Sequence, residues 1–182
     1  ISNYELAPLE LNSDGERIVG TPKNFNTRPS EGIWYDVYLD APTGFMVTYK
    51  DVPHAMAAVA METPVELMIH QLQGVNPKRI DTTLPRGEQI IGNISARGLA
   101  PLDWRKMMVD ISEQLALQNN ATSLGIQAGE NNSWRRQGSD GSDPHMTKED
   151  GERSYDAPAR RLGFMLKQDD PVGNWHRDIS KV

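Results

Sequence analysis

The sequence contains no cysteine, which removes disulfide bridges, thiolate metal sites and a cysteine nucleophile together. It has no long apolar run. The most apolar window, residues 52–69, is broken by Pro53, His54, Glu62, Pro64 and Glu66, whereas a membrane-spanning helix needs about 20 mainly apolar residues. No basic run exceeds a pair (Lys78-Arg79, Arg105-Lys106, Arg135-Arg136, Arg160-Arg161), and the net charge is −6. Both facts argue against nucleic acid as a partner, because a phosphate backbone calls for a basic patch.

Catalytic signatures are also missing. The four histidines, His54, His70, His145 and His176, form no H-E-x-x-H or H-x-E pattern. There is no G-x-S-x-G serine turn and no Gly-rich phosphate loop. Asp140, Asp143, Glu149 and Asp150 sit on a Gly-containing stretch, but the order Asp140-Gly141-Ser142-Asp143-Pro144 does not meet the calcium-loop pattern. Ser139, Asp140, Asp143 and His145 are neighbours in the chain, yet catalytic triads are assembled from residues distant in sequence. Glu62, Glu66, Asp81, Glu88 and Asp103 could serve acid–base chemistry, and nothing in the spacing singles out a pair. The expectation is therefore no catalytic residue, no cofactor and no bound metal.

Several patterns are present. Residues 32–40 are aromatic and β-branched and are bounded by Gly32 and Ala41-Pro42, a strand signal. A second strand from Phe45 would close a hairpin with it across Pro42-Thr43-Gly44. Two short helices are expected next. Asp51 would cap the first, with Pro53 in its opening turn. The second would open at Thr63-Pro64-Val65-Glu66, which has capping-box spacing. Val65, Met68, Ile69 and Leu72 would form its apolar face, and Gly74 would close it. On this reading His70 is a solvated helix residue and His54 a neutral surface residue.

Residues 88–98 read as a strand. Pro101 opens a helix over 101–119, with a stripe at Trp104, Met108, Ile111 and Leu115. The span 88–117 is similar to the strand-then-helix unit of small ring-forming envelope domains. Leu124-Gly125-Ile126 reads as a short strand and residues 160–168 as a last one. The fold class expected is α+β: a small mixed sheet with two or three helices on one face. The domains expected are an extended arm (1–32), a core (33–128), a polar interaction segment (129–161) and a last strand with a tail (162–182).

The polar segment has few apolar residues among its 33. Ordering it costs roughly 1–2 kcal/mol per residue in backbone entropy. Trp134, Tyr155 and Trp175 stand outside periodic core segments, and large aromatics of this kind anchor interfaces. These three are accordingly the expected partner-binding residues. The reading that follows is a non-enzymatic structural or docking subunit of a bacterial envelope machine or a virus particle. Its partners would be other protein subunits or copies of itself, and its setting extracytoplasmic or a virion. The alternative is a small secreted hydrolase using carboxylates or a His.

Overall fold

In a computed structural model of the chain, residues 4–10, 33–34, 39–49, 52–81, 83–85, 88, 90–94, 102–132, 146–167, 170 and 172–179 are described. The strands are β1 (Tyr4–Glu10), β2 (Ile33–Trp34), β3 (Thr43–Tyr49), β4 (Val52–Thr63), β5 (Glu66–Gly74), β6 (Lys78–Ile80), β7 (Ile90–Asn93), β8 (Ser123–Ile126), β9 (Met165–Leu166) and β10 (Trp175–Asp178). Helix α1 spans Trp104–Gln118. Two short helices, α2 (Lys148–Gly151) and α3 (Ala157–Arg161), flank a π-helical turn, Glu152–Asp156.

Seven strands form one mixed sheet in the order β1-β3-β4-β5-β8-β10-β9, and β2, β6 and β7 form a small second sheet. Every neighbouring pair in the large sheet is antiparallel except β5 and β8. The fold class is therefore α+β, with the helices on one face.

That helix-bearing face holds the main core. Phe45, Val47, Ala55, Ala57, Val59, Leu67, Ile69 and Leu72 from the sheet meet Met108, Val109 and Ala116 of α1, together with Tyr155, Ala159, Phe164 and Trp175. The opposite face carries Met46, Met56 and Ala58, clustered with Leu39, Ala41 and Val75.

The two helices expected over 51–74 are strands β4 and β5, joined by a tight turn at Pro64-Val65. The Ala- and Met-rich run of β4 suits a helix by propensity. In a central strand buried on both sides, however, small and flexible side chains are wanted on both faces, and no alternation survives to mark it. The capping-box residues Thr63 and Glu66 face each other across the hairpin instead. A β-bulge completes the disguise. Val59 pairs with Ile69 and Ala58 with Gln71, which leaves His70 as the extra residue. The core-facing positions of β5 become 67, 69 and 72, and that step of three imitates helical spacing.

Other expectations shift by smaller amounts. β3 pairs with β1 and β4 rather than with the segment around Ile33. In α1 the fully buried positions are Met108, Val109, Ser112 and Ala116, while Trp104, Ile111 and Leu115 are partly buried against the core. His54 is buried in β4 and not at the surface. Residues 160–161 end a helix, so among the described residues of the last expected strand only Met165–Leu166 is a strand. Of the expected extended arm only residues 4–10 are described, and they form strand β1. Among the described residues no helix is long and apolar enough to cross a membrane.

Candidate functional site

On the face of the sheet opposite α1, β5 presents Glu66, Met68 and His70 side by side, because alternate residues of a strand share a face and the bulge follows Ile69. These three line a pocket of about 420 Å³. Glu62 from the end of β4, Gln127 beyond β8, and Asn131 close one side. Lys167, Asp170, Val172, Asn174 and His176, from β9 through β10, close the other.

Two histidines in the pocket are tied to carboxylates. His70 Nε2 lies 2.7 Å from Glu62 Oε1. His176 is held at both nitrogens: Nδ1 is 2.7 Å from Glu66 and Nε2 is 2.9 Å from Asp170. Ionised carboxylates only accept, so the ring serves both only as the doubly protonated imidazolium. Ser123 Oγ donates to Glu66 at 3.0 Å. Asp170 also accepts the backbone N–H groups of Val172 and Asn174, at 2.8 and 2.9 Å. Partial burial pushes the Asp170 pKa up, but the hydrogen bonds from His176 and these amides, with the imidazolium charge, outweigh it and bring it down to about 2. Asn131 ties the same turn across the pocket, donating to Val172 O at 2.6 Å and to Asn174 Oδ1 at 2.9 Å.

The second feature is a fork in the sheet. β5 and β8 run parallel and pair only over Glu66–Ile69 and Ser123–Ile126. The last link is the Gln127 N–H donating to Ile69 O at 2.9 Å. Beyond it, none of the described residues pairs as a strand with β5 on this side. Such a divergence, at the carboxyl ends of parallel strands, is where open sheets bind ligands.

Tyr155, from the π-helical turn, fills the inner end. It is buried, and its hydroxyl takes hydrogen bonds from Asn132 Nδ2 at 3.0 Å and from the Leu72 amide. Burial, then the charge of Asp40, pushes the phenol pKa well above its ordinary value, against the pull of those two donors.

At the mouth of the fork the Trp104 ring reaches the end of β5, 3.9 Å from where a Cβ on Gly74 would sit. Asp103 caps α1 by accepting from the Lys106 amide at 3.2 Å. Arg161 pairs with the Asp103 carboxylate at 2.7 Å. The Arg105 guanidinium stacks 4.3 Å above the Trp104 ring, and its Nε–H is buried with no hydrogen-bond partner among the described residues. Its own burial and the nearby charges of Arg161 and Arg153 lower the Arg105 pKa, with Asp103 acting in the opposite sense.

Of the three aromatics expected to bind partners, Trp134 lies outside the described residues. Tyr155 and Trp175 both lie in the chain's own core, and Trp175 Nε1 donates to Asp156 at 2.8 Å. The described end of the polar segment, residues 146–161, thus folds onto the domain it belongs to. Glu62, Glu66 and His70, from one hairpin, meet Asp170 and His176 from much later in the chain, so no short motif marks the site. A strand reading of 66–70 would have placed Glu66 and His70 on one face. Among the described residues no group of three or more His, Asp or Glu is arranged to hold a metal ion.

No protein-family model matches the chain, and no curated protein sequence matches it. Solved structures with some likeness include Ard1 from Thermoplasma volcanium (10% identity, TM-score 0.43, covering 76% of this chain and 71% of that one). A second is the Elp3 of the archaeon Methanocaldococcus infernus (9% identity, TM-score 0.44, covering 98% of this chain and 30% of that one). A third is a tandem GNAT protein from the clavulanic acid biosynthesis pathway (13% identity, TM-score 0.42, covering 91% and 45%). The chain spans less than half the length of the last two. None of these three is a structural, envelope or virion subunit. On that finding the expectation of a non-enzymatic structural or docking subunit is corrected. At these scores the likeness supplies no argument about the site, whose chemistry rests on the geometry above.

Proposed function

We propose that this protein is an enzyme that transfers an acyl group from the thioester of a phosphopantetheine-type carrier, such as an acyl-CoA, to an amine. The observation that carries this reading is the fork between β5 and β8 with Arg105, Arg153, Arg161 and the start of α1 at its mouth. Each part selects a different piece of one ligand. The free edge of a strand accepts an extended chain that carries amide groups, by the hydrogen bonding that adds a strand to a sheet. Planar guanidinium groups bind phosphate oxygens in forked pairs, and the buried Arg105 Nε–H, which has no partner among the described residues, is a donor that gains by meeting one. A linear arm with amides at one end and phosphates at the other satisfies both.

When bound, such a carrier supplies an acyl carbon already activated toward an amine. The chain's own residues do the rest. Its acceptor side is the pocket on the opposite face, which meets the fork at Ile69, His70 and Gln127. His70, backed by Glu62, stands where it can take the proton that an attacking amine loses as the C–N bond forms and the C–S bond breaks.

The test is calorimetric titration with CoA. Wild-type protein should bind it, and Arg105→Ala should weaken binding by about tenfold or more, the loss of a charge-assisted phosphate contact. With acetyl-CoA and a panel of primary amines, thiol release should depend on added amine and fall in His70→Gln. A folded wild-type protein that does not bind CoA would overturn the reading.

A further inference from the structure

We propose that His176 is a positioning residue: as the imidazolium it latches the turn carrying Asp170, Val172 and Asn174 onto β5, and so builds the wall of the pocket. The proposal deepens the reading of this pocket as an acceptor site and depends on that reading only for what the pocket holds. The latch itself stands on contacts. His176 lies in β10 and bridges Glu66 on β5 to Asp170 in the turn, at 2.7 and 2.9 Å. All three side chains are well shielded, at 11%, 15% and 12% exposure. Asp170 in turn collects the Val172 and Asn174 amides. Asn174 Oδ1 accepts from the Ala128 amide at 3.0 Å, which joins the turn to the end of β8. One ring therefore connects the floor of the pocket to its rim.

The geometry makes the ring's proton the controlling element. The charged groups around it in the pocket are Glu66 from β5, Asp170 from the turn, Glu62 and His70 at the β4–β5 end, and Lys167 beyond β9. Removing one proton turns an N–H donor into a lone pair that faces a carboxylate oxygen within hydrogen-bonding distance, and one of the two links must break. Both carboxylates have further ties, Glu66 to Ser123 and Asp170 to the Val172 and Asn174 amides, so whichever link breaks, the bridge from β5 to the turn is lost. Without that bridge the turn is no longer tied to β5, and the wall of the pocket opens.

The experiment reads the latch without turnover, so its outcome is independent of whether the chain transfers acyl groups. Nitrogen-labelled histidine NMR follows the ring of His176, while amide hydrogen exchange follows the turn. Below the titration both ring nitrogens should carry protons. Above it, exchange of the Val172 and Asn174 amides, corrected for the intrinsic pH dependence, should quicken by about tenfold, the loss of one charge-assisted hydrogen bond. The Leu124 and Ile126 amides of β8 should not respond. His176→Phe should hold the turn in its fast-exchanging state at every pH. Asp170→Asn, which keeps shape and fold but not the charge, should remove the pH dependence. Equal protection of the turn above and below the titration would overturn the proposal. So would loosening of the turn and β8 in step, which marks a merely structural role.

Discussion

The two charged regions at the β5–β8 fork are built in opposite ways. In the pocket, Glu66, His176 and Asp170 are shielded, and each polar atom used has a partner inside the protein. At the start of α1 the pair Arg161–Asp103 is half exposed, at 58% and 43%, and Arg105 keeps a donor with no partner among the described residues. A shielded, fully paired network fixes geometry, because breaking one link leaves a charge without water to replace the lost partner. Exposed ion pairs contribute little to stability, but they leave charge available for something that arrives from outside. The first region suits positioning and the second suits capture.

The sharpest way to break the comparison is at the base both regions share. Ile69 is fully buried, and it is the last residue of β5 that pairs with β8. Ile69→Ala should cost about 2–5 kcal/mol by chemical denaturation, and it should impair CoA binding and the pocket together. A loss well below that range would mean that the fork is not held by this packing.

Next in size is the shielded network alone. Glu66→Gln keeps the shape but removes the charge that faces His176, and it should cost about 1.5–3 kcal/mol. Acid should act in the same direction. The Asp170 pKa is held at about 2, below its ordinary 3.8, so its contribution is complete above the ordinary value and is lost as pH falls through it toward about 2. Burial also lowers the pKa of His54 below 6.5. The unfolded chain then takes up a proton that the folded chain refuses, and stability declines as pH drops below 6.5. Thermal unfolding across this range should show both slopes. Asp170→Asn should flatten only the lower one.

The smallest effect belongs to the exposed region. Lys106→Ala removes an exposed i,i+4 pair with Asp110 and should change stability by about 0.5 kcal/mol or less. A larger loss would show that the α1 surface is as tightly coupled as the pocket, and the contrast between the two regions would fail.

How much of this was legible in the sequence differs by element. Helix α1 was legible because its three-and-four spacing persists for over three turns and a local period of that length has one structural reading. β8 was legible from its small apolar run between an Asn-rich turn and a Gly. The hairpin β4–β5 was not. Ala, Met and a Thr-Pro-Val-Glu step have local preferences for helix, and only the neighbours β3 and β8, which bury both faces and complete the hydrogen bonding, turn them into strands. The Glu62–His70 pair was hidden by the same misreading, since it exists only across that hairpin.

By itself, then, the sequence determined what the protein does without: thiols, a long apolar span, a basic tract. It also determined that a mixed sheet with helices on one face would form, since those properties follow from composition and local period. Tertiary structure alone decided where the chemistry lies. A bulge at His70, a fork after Ile69 and a histidine between two carboxylates all depend on which strands become neighbours. That choice is made by the packing of the whole core, and no window of the chain contains it.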